Sequence, residues 1–241
     1  MPVPARPEGS GVAPARAAAA RRRARQQEIV TSTRRLFDAR GSREANIDDI
    51  ARAVGINRAI IYRHFASKEE LFALTLAEYL TELDGRLSEV DDPQATPRQR
   101  FTAVSREFAG YCLQYPAFVD CALALLGRPG PTLLEEISDA ALLRLGGLMG
   151  IQLHRIAGIL RLDRSAAGGD RRCDGDPLGQ GDVDVLANAL YLQVLGVMHL
   201  ARSGVVLRPA AGGQANWAMV GPDRIVDLVT GMAVAVAFPG R

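Results

Sequence analysis

The 241-residue chain predicts an all-α protein: a small N-terminal helix-turn-helix domain followed by a larger helical body. Three observations carry that expectation. Two short apolar-faced segments, 47–54 and 59–65, meet at Gly55 in the pattern of a tight helical turn. Cap residues stand in front of each helix of that region. Beyond Ser67, apolar side chains keep recurring at three- and four-residue spacing almost to the C-terminus. The expected organisation is an arm over 1–24, a helix-turn-helix domain over 25–66 and a helical body over 67–241, interrupted by a flexible loop at about 163–182.

The helices of the first domain follow from local chemistry. Asn46 can cap a helix, with Asp49 three positions on to return the bond, and Ile47, Ile50, Ala51 and Val54 make its apolar face. Gly55 can take the positive φ needed where that helix stops and the chain turns. Ile56 plugs the angle between the helices. Asn57 is a second cap, for a helix that buries Ile60 or Ile61 together with Phe65. Ser67, with Glu70 at the third helical position, forms a capping box for a third helix.

In the body, Leu71, Phe72, Leu76, Tyr79, Leu80 and Leu83 extend that third helix towards a break at 91–96. Thr96-Pro97 is a cap and first-turn pair, and Phe101, Val104, Phe108, Tyr111 and Cys112 line a helix ending near Gln114. Pro116 to Leu126 forms a short apolar helix stopped by Gly127 and Pro129. Thr132 to about Leu162 reads as one long helix. Gly, Asp and Arg fill 163–182. Helices from Asp182 to Ser203 and from Pro222 to Phe238 close the chain, separated by a Gly/Pro/Ala loop that holds Trp217. Both are apolar on more than one side, so each must be buried in a core or an interface.

The run Asn46 to Leu71 resembles the DNA-binding signature of the TetR (tetracycline-repressor-like) family of bacterial regulators. The matching residues are Ile50-Ala51, Gly55-Ile56, Ile61-Tyr62, His64-Phe65, Lys68 and Leu71. The likeness extends back through a first helix at about Arg25 to Arg40, with Ile29, Thr33, Leu36 and Phe37 on one face and Gly41 as its stop. It covers about the first quarter of the chain. Asn46 and Asn57 replace the hydroxyl residues usual at those places, and Ile60 replaces a small hydroxyl residue.

The resemblance implies that the helix from Asn57 to Phe65 enters the major groove, where each base pair shows a distinct pattern. Asn46, Asn57, Arg58, Ala59, Ile60, Tyr62, Arg63, His64 and Lys68 are then the expected DNA-contacting positions. Arg58 and Arg63 suit guanine edges; Tyr62, His64 and Lys68 suit phosphate, which sets register rather than sequence. It also implies a homodimer built by the last two helices, with Leu186, Leu190, Val197, Val226, Val229 and Met232 as interface candidates. Two recognition helices about one DNA turn apart would read a palindromic operator. A ligand-responsive regulator further needs a pocket among the central helices. Phe108, Tyr111, Phe118, Leu145, Met149 and Tyr191 are candidate linings, suited to an apolar or aromatic effector. The alternatives are a ligand-insensitive or architectural DNA-binding protein, or an activator with the same head.

Charge distribution points the same way. The chain carries a net +2, but residues 1–66 hold thirteen arginines against six acidic residues, a balance of +7, while the remainder balances at −5. A basic head on an acidic body aims one end at a polyanion. The Ala-, Pro- and Arg-rich residues 1–24 predict a disordered arm, whose Arg16, Arg21, Arg22, Arg23 and Arg25 would follow phosphates, drop into an adjacent minor groove or solubilise the head. No apolar core follows these arginines, so a secretory signal is not expected, and no membrane span is predicted. Cys112, Cys121 and Cys173 are widely spaced and odd in number, as suits a reducing cytoplasm. Cys173, beside Arg171 and Arg172, is a conceivable redox thiol and more simply a spectator. No catalytic constellation, phosphate loop, metal spacing or cofactor motif is present, so catalysis, a metal and a cofactor are not expected.

Overall fold

A computed structural model describes residues 12–166, 182–202, 204–209 and 215–239. Helices α1 (Val12–Arg40), α2 (Ile47–Val54) and α3 (Arg58–His64) form the head, and α4 (Lys68–Val90) runs from it into the body. The body adds α5 (Pro97–Gln114), α6 (Pro116–Leu126), α7 (Gly130–Glu136), α8 (Asp139–Ala166), α9 (Asp182–Ala201) and α10 (Pro222–Ala237). One continuous core joins the two parts, from Ile29, Phe37, Ile50, Ile61 and Phe65 in the head to Leu190, Val229 and Phe238 in the body.

Caps decide the head's local geometry. Asn46 accepts from the Asp49 amide at 2.7 Å, Asn57 from the Ile60 amide at 3.0 Å and Ser67 from the Glu70 amide at 2.9 Å. Gly55 takes φ 73°, where its N–H closes the end of α2 and where a side chain would be strained. Two details go beyond the expected capping boxes. Asp49, beside its contact with the Asn46 backbone, pairs with Arg40, at 2.9 Å, and with Arg52, guanidinium groups being strong partners for an ionised carboxylate. Its hydrogen bond with Arg40 holds the Asp49 carboxyl below the usual range. Glu70 reaches the amide of Ala66, one residue ahead of the cap.

The largest departure lies at the N-terminus. Helix α1 begins at Val12, not near Arg25, so residues 12–24 are helical where a disordered arm was expected; residues 1–11 lie outside the described residues. A segment too polar to build a core can still be helical when it is rich in alanine and arginine, both strong helix formers. Near its junction with the head it is tied to α3 through Arg22, as described below.

Three further differences are smaller. The expected long helix from Thr132 is two, because Ile137 turns extended (φ −125°, ψ 130°) to bury its side chain, and Ser138 caps the restart by accepting from the Ala141 amide. Helix α8 continues to Ala166, past the expected loop boundary; Cys173 lies outside the described residues. The Gly/Pro/Ala loop forms an antiparallel hairpin, β1 (Val205–Pro209) with β2 (Ala215–Met219), in the register Val205 to Met219 through Pro209 to Ala215. Val205 and Val206 favour extended backbone, and Gly204, at φ 61°, turns the chain out of α9 into it.

Among the described residues, no single helix is long and apolar enough to cross a membrane. Likewise no group of three His, Cys, Asp or Glu side chains comes together. Cys112 and Cys121 are buried free thiols. Burial raises both, Cys121 to about 12, which keeps them protonated and unreactive.

Candidate DNA-binding site

Helix α3 presents two unlike faces. Ile61 and Phe65 are fully packed against the head core, while Asn57, Arg58, Ala59, Tyr62 and Arg63 are exposed. The burial alternative between Ile60 and Ile61 is thereby decided: Ile61 goes inward, and Ile60 lies at the rim, half-exposed. The Arg58 guanidinium lies 5.4 Å from the centre of the Tyr62 ring, which pre-orients it without neutralising it. Among the described residues, neither Arg58 nor Arg63 makes an ion pair within 4 Å. A seven-residue helix carrying two unneutralised guanidinium forks on its solvent face is a surface built for an external acceptor.

The flanking elements complete the surface. Lys68, at the start of α4, lies 4.9 Å from the Phe72 ring centre and is half-exposed. Asn46 and Asn57 are exposed residues whose side-chain oxygens serve as caps. His64 is half-buried, and its Nδ1 finds no hydrogen-bond partner. Burial first, then the cations Arg22, Arg25 and Arg63, hold its imidazole below the ordinary histidine value. A neutral His64 therefore contributes at most a neutral donor to a phosphate.

Behind α3, the N-terminal part of α1 supplies what its last turn lacks. Arg22 Nη2 donates to the Arg63 carbonyl at 3.4 Å, and Gln26 Nε2 donates to the His64 carbonyl at 2.8 Å. These would otherwise be orphan carbonyls of a helix end. The signal was present in the sequence as Arg22 and Gln26, four residues apart on one face, but only the fold brings α3 beneath them.

The head is clamped to the body at the first turn of α4. Ser67 Oγ donates to the Glu136 carbonyl, Ser138 Oγ donates to Glu70, and Arg128 pairs with both Glu69 (3.1 Å) and Glu136. On the other side, Arg202 reaches Asp120 of α6 and the Gly41 carbonyl at the end of α1, the latter at 3.1 Å. Ser67 and Glu70 were read from sequence only as a capping box, and the pairings that clamp the head were not, because most of them join residues tens of positions apart.

The body encloses a cleft of about 390 Å³, solvent at its mouth included. Leu87 of α4, Phe101, Val104 and Phe108 of α5, Gln152 and Ile156 of α8, and Tyr191 of α9 are among its walls. Of the expected lining residues, Phe108 and Tyr191 are there, their rings stacked at 5.0 Å. Tyr111 and Phe118 instead pack together in the neighbouring core, at 5.3 Å, and Tyr111 donates to the Tyr79 carbonyl. Leu145 and Met149, seven and three residues before Gln152 on α8, do not line the cleft. Sequence reasoning missed Gln152, which is 1% exposed with neither amide atom hydrogen-bonded. Its signal was a lone polar residue on an apolar helical face.

The expected interface residues also divide. Leu186, Leu190, Val226 and Val229 are buried within the chain itself and Val197 is partly buried, which leaves them little surface to offer a second copy. Only Met232 is exposed. The outward apolar side chains of the same helices are Val185 and Leu192 on α9 and Leu228, Met232 and Val236 on α10. Both helices are apolar all round, so periodicity could not separate the inner stripe from the outer one.

The fold and the arginine-bearing α3 define a helix-turn-helix protein with a helical companion domain. Residues 29–75 match the family model described as bacterial regulatory proteins, tetR family. By that head, residues 29–75, the chain is similar to the TetR family. The transcriptional repressor KstR2 of Mycobacterium tuberculosis is 30% identical over 116 residues, covering 46% of this chain and 58% of its own length. The chain thus spans little more than half of the curated relative it matches. Among solved structures, BioQ with its double-stranded DNA operator superposes with TM-score 0.55 at 15% identity, covering 87% of this chain and 98% of that one. RolR in complex with resorcinol gives 0.56 at 17% identity, covering 92% and 96%. At such identities these structures establish a shared fold, body included.

Proposed function

We propose that the chain is a homodimeric, sequence-specific transcriptional regulator: a repressor released from a palindromic operator by a small apolar or aromatic ligand. The observation that carries this is the outer face of α3, where Arg58 and Arg63 stand unneutralised over a helix locked in place by Ile61, Phe65 and three side-chain caps. Relatives by sequence and fold act in kind: KstR2 is named a repressor, and BioQ was solved on its operator.

A duplex selection with the purified full-length chain tests the DNA reading and defines the operator. Arg58→Ala should relax preference at one base pair per half-site, at a cost of roughly 1–3 kcal/mol. Lys68→Ala should instead weaken all duplexes alike and flatten the salt dependence by about one unit per half-site. Retention of the full preference by the Arg58 variant would remove its base-reading role.

The cleft supports the effector half of the proposal. Its walls are mostly apolar, with Ser105, Gln152 and Tyr191 as the polar-bearing residues, so the expected ligand has an apolar or aromatic body and one or two groups that donate or accept a hydrogen bond. Leu87 lines the cleft some nineteen residues along α4 from Lys68, about 30 Å at the helical rise. A ligand pressing on that end tilts the other, to which the head is clamped. Release requires the ligand to favour the tilted arrangement over the DNA-bound one.

An unsatisfied buried amide costs roughly 1–3 kcal/mol. Gln152→Leu should therefore raise the melting temperature of the ligand-free chain by roughly 2–10 °C while leaving operator affinity intact and blunting release by the effector. Calorimetry reads the first effect. A lower melting temperature would mean that the amide is already satisfied.

A further inference from the structure

The N-terminal extension of α1 is a cationic rod fixed to the edge of the recognition helix. Between Val12 and Gln27 it carries Arg16, Arg21, Arg22, Arg23 and Arg25 and not one acidic residue. Arg16, Arg21, Arg22 and Arg23 are exposed; Arg25 pairs with Glu28. Five like charges within three helical turns repel one another, so the segment gains from an anion outside itself.

Its placement is set by two hydrogen bonds already described. Arg22 and Gln26 hold the last carbonyls of α3, those of Arg63 and His64. The rod therefore leaves the head at the C-terminal edge of the helix that would occupy the groove, and ten further residues carry it back to Val12, about 15 Å of helix. A major groove is about 12 Å wide. An element that starts at the edge of a groove-bound helix and projects that far passes over one wall of the groove, and that wall is a phosphate strand.

We infer that residues 16–25 of α1 form a second DNA-binding element, which grips the phosphodiester backbone beside the groove read by α3. This rests on the DNA-binding function proposed above and deepens it. Arg21 and Arg23 diverge by about 200° around the helix, which suits two successive phosphates flanking the rod and not the edge of one base pair. Arg22 lies between them, occupied with α3. The alanines around them, Ala17 to Ala20 and Ala24, keep the rod narrow, so the guanidinium groups alone set the distance of approach.

The test uses full-length protein on its selected operator and on an unrelated duplex, with affinity measured across a salt series. Arg21 and Arg23 are chosen because neither bonds to α3. With two copies bound, R21A/R23A should flatten the slope of log affinity against log salt by roughly two to four units. It should weaken both duplexes by a similar factor and leave the base preference unchanged. R21K/R23K keeps the charge and should keep the wild-type slope. An unchanged slope in the alanine variant overturns the inference while leaving the DNA-binding function standing. A lysine variant as shallow as the alanine one overturns it too, since damage to the helix would then be the cause. Wild-type protein that binds no duplex removes both.

Discussion

A chain carrying Leu228→Glu and Met232→Glu should sediment as a monomer and lose at least roughly 10³-fold in operator affinity, with its own fold intact. Leu228 is 57% and Met232 40% exposed, so neither substitution enters the monomer core. On α10 they stand one turn apart, with Gly231 and Ala235 between and beyond them, and Val236 one turn further on. On α9, Leu192 and Val185 are exposed two turns apart on the outer side. Such a two-helix face is poorly suited to water, and the dimer proposed above would cover it. A carboxylate forced into a packed apolar interface without a partner costs several kcal/mol, and each copy would bring two. Separating the copies removes one of the two half-sites. Base contacts contribute about 1–3 kcal/mol each, so losing two or more costs about 4 kcal/mol, equivalent to roughly 10³ in affinity. Analytical ultracentrifugation and operator titration read the two effects together. A variant that stays dimeric would place the interface elsewhere on the body.

Phe37→Ala should destabilise the head by about 3–5 kcal/mol, the range for emptying a buried aromatic site. Phe37 has no exposed surface, and its ring meets Phe72 edge-on at 4.9 Å and 87°. This contact ties α1 to the first turns of α4, close to the Ser67 clamp. A melting temperature lower by roughly 6–20 °C is expected if the chain unfolds as one unit. The loss of DNA binding should follow the same lowered transition. A fall under about 2 °C would show that the head relaxes around the cavity, and that the α1–α4 contact is not what holds it.

Most of the head was legible from residue order. Asn46, Asn57 and Ser67 cap because their side chains reach an amide three residues on, and Gly55 turns because nothing else takes that φ without strain. These are short-range effects, decided within four or five residues. The boundaries of α5, α6 and α10 followed for the same reason. Helix α1 was misjudged at its start because low hydrophobicity argues against a core and says nothing against a helix that leans on a neighbour. Ile137 broke the expected long helix for a tertiary reason, its own burial.

The candidate sites divide along the same line. Arg58, Tyr62 and Arg63 lie on the exposed side of α3, away from Ile61 and Phe65, as helical spacing predicts, while their DNA-contacting role, and that of Lys68 on α4, came from the family resemblance. The cleft and the outer face of α9 and α10 were only half found. Phe108 and Tyr191 line the cleft, while the equally apolar Tyr111 and Phe118 fill the core beside it, and no pattern in the chain separates the two cases. Gln152 shows the converse, since a polar residue among leucines gains meaning only once its amide is seen to lack a partner.

What this amino-acid order determined unaided is the set of helices in the head and the solvent face of α3, because caps, turns and periodicity act over a few residues. The tertiary structure alone decided which apolar stripe of α9 and α10 faces outward, that Arg22 and Gln26 brace the recognition helix, and that α4 joins the cleft to the head. Those outcomes depend on which distant segments share a volume, and close packing settles that only when every helix is in place.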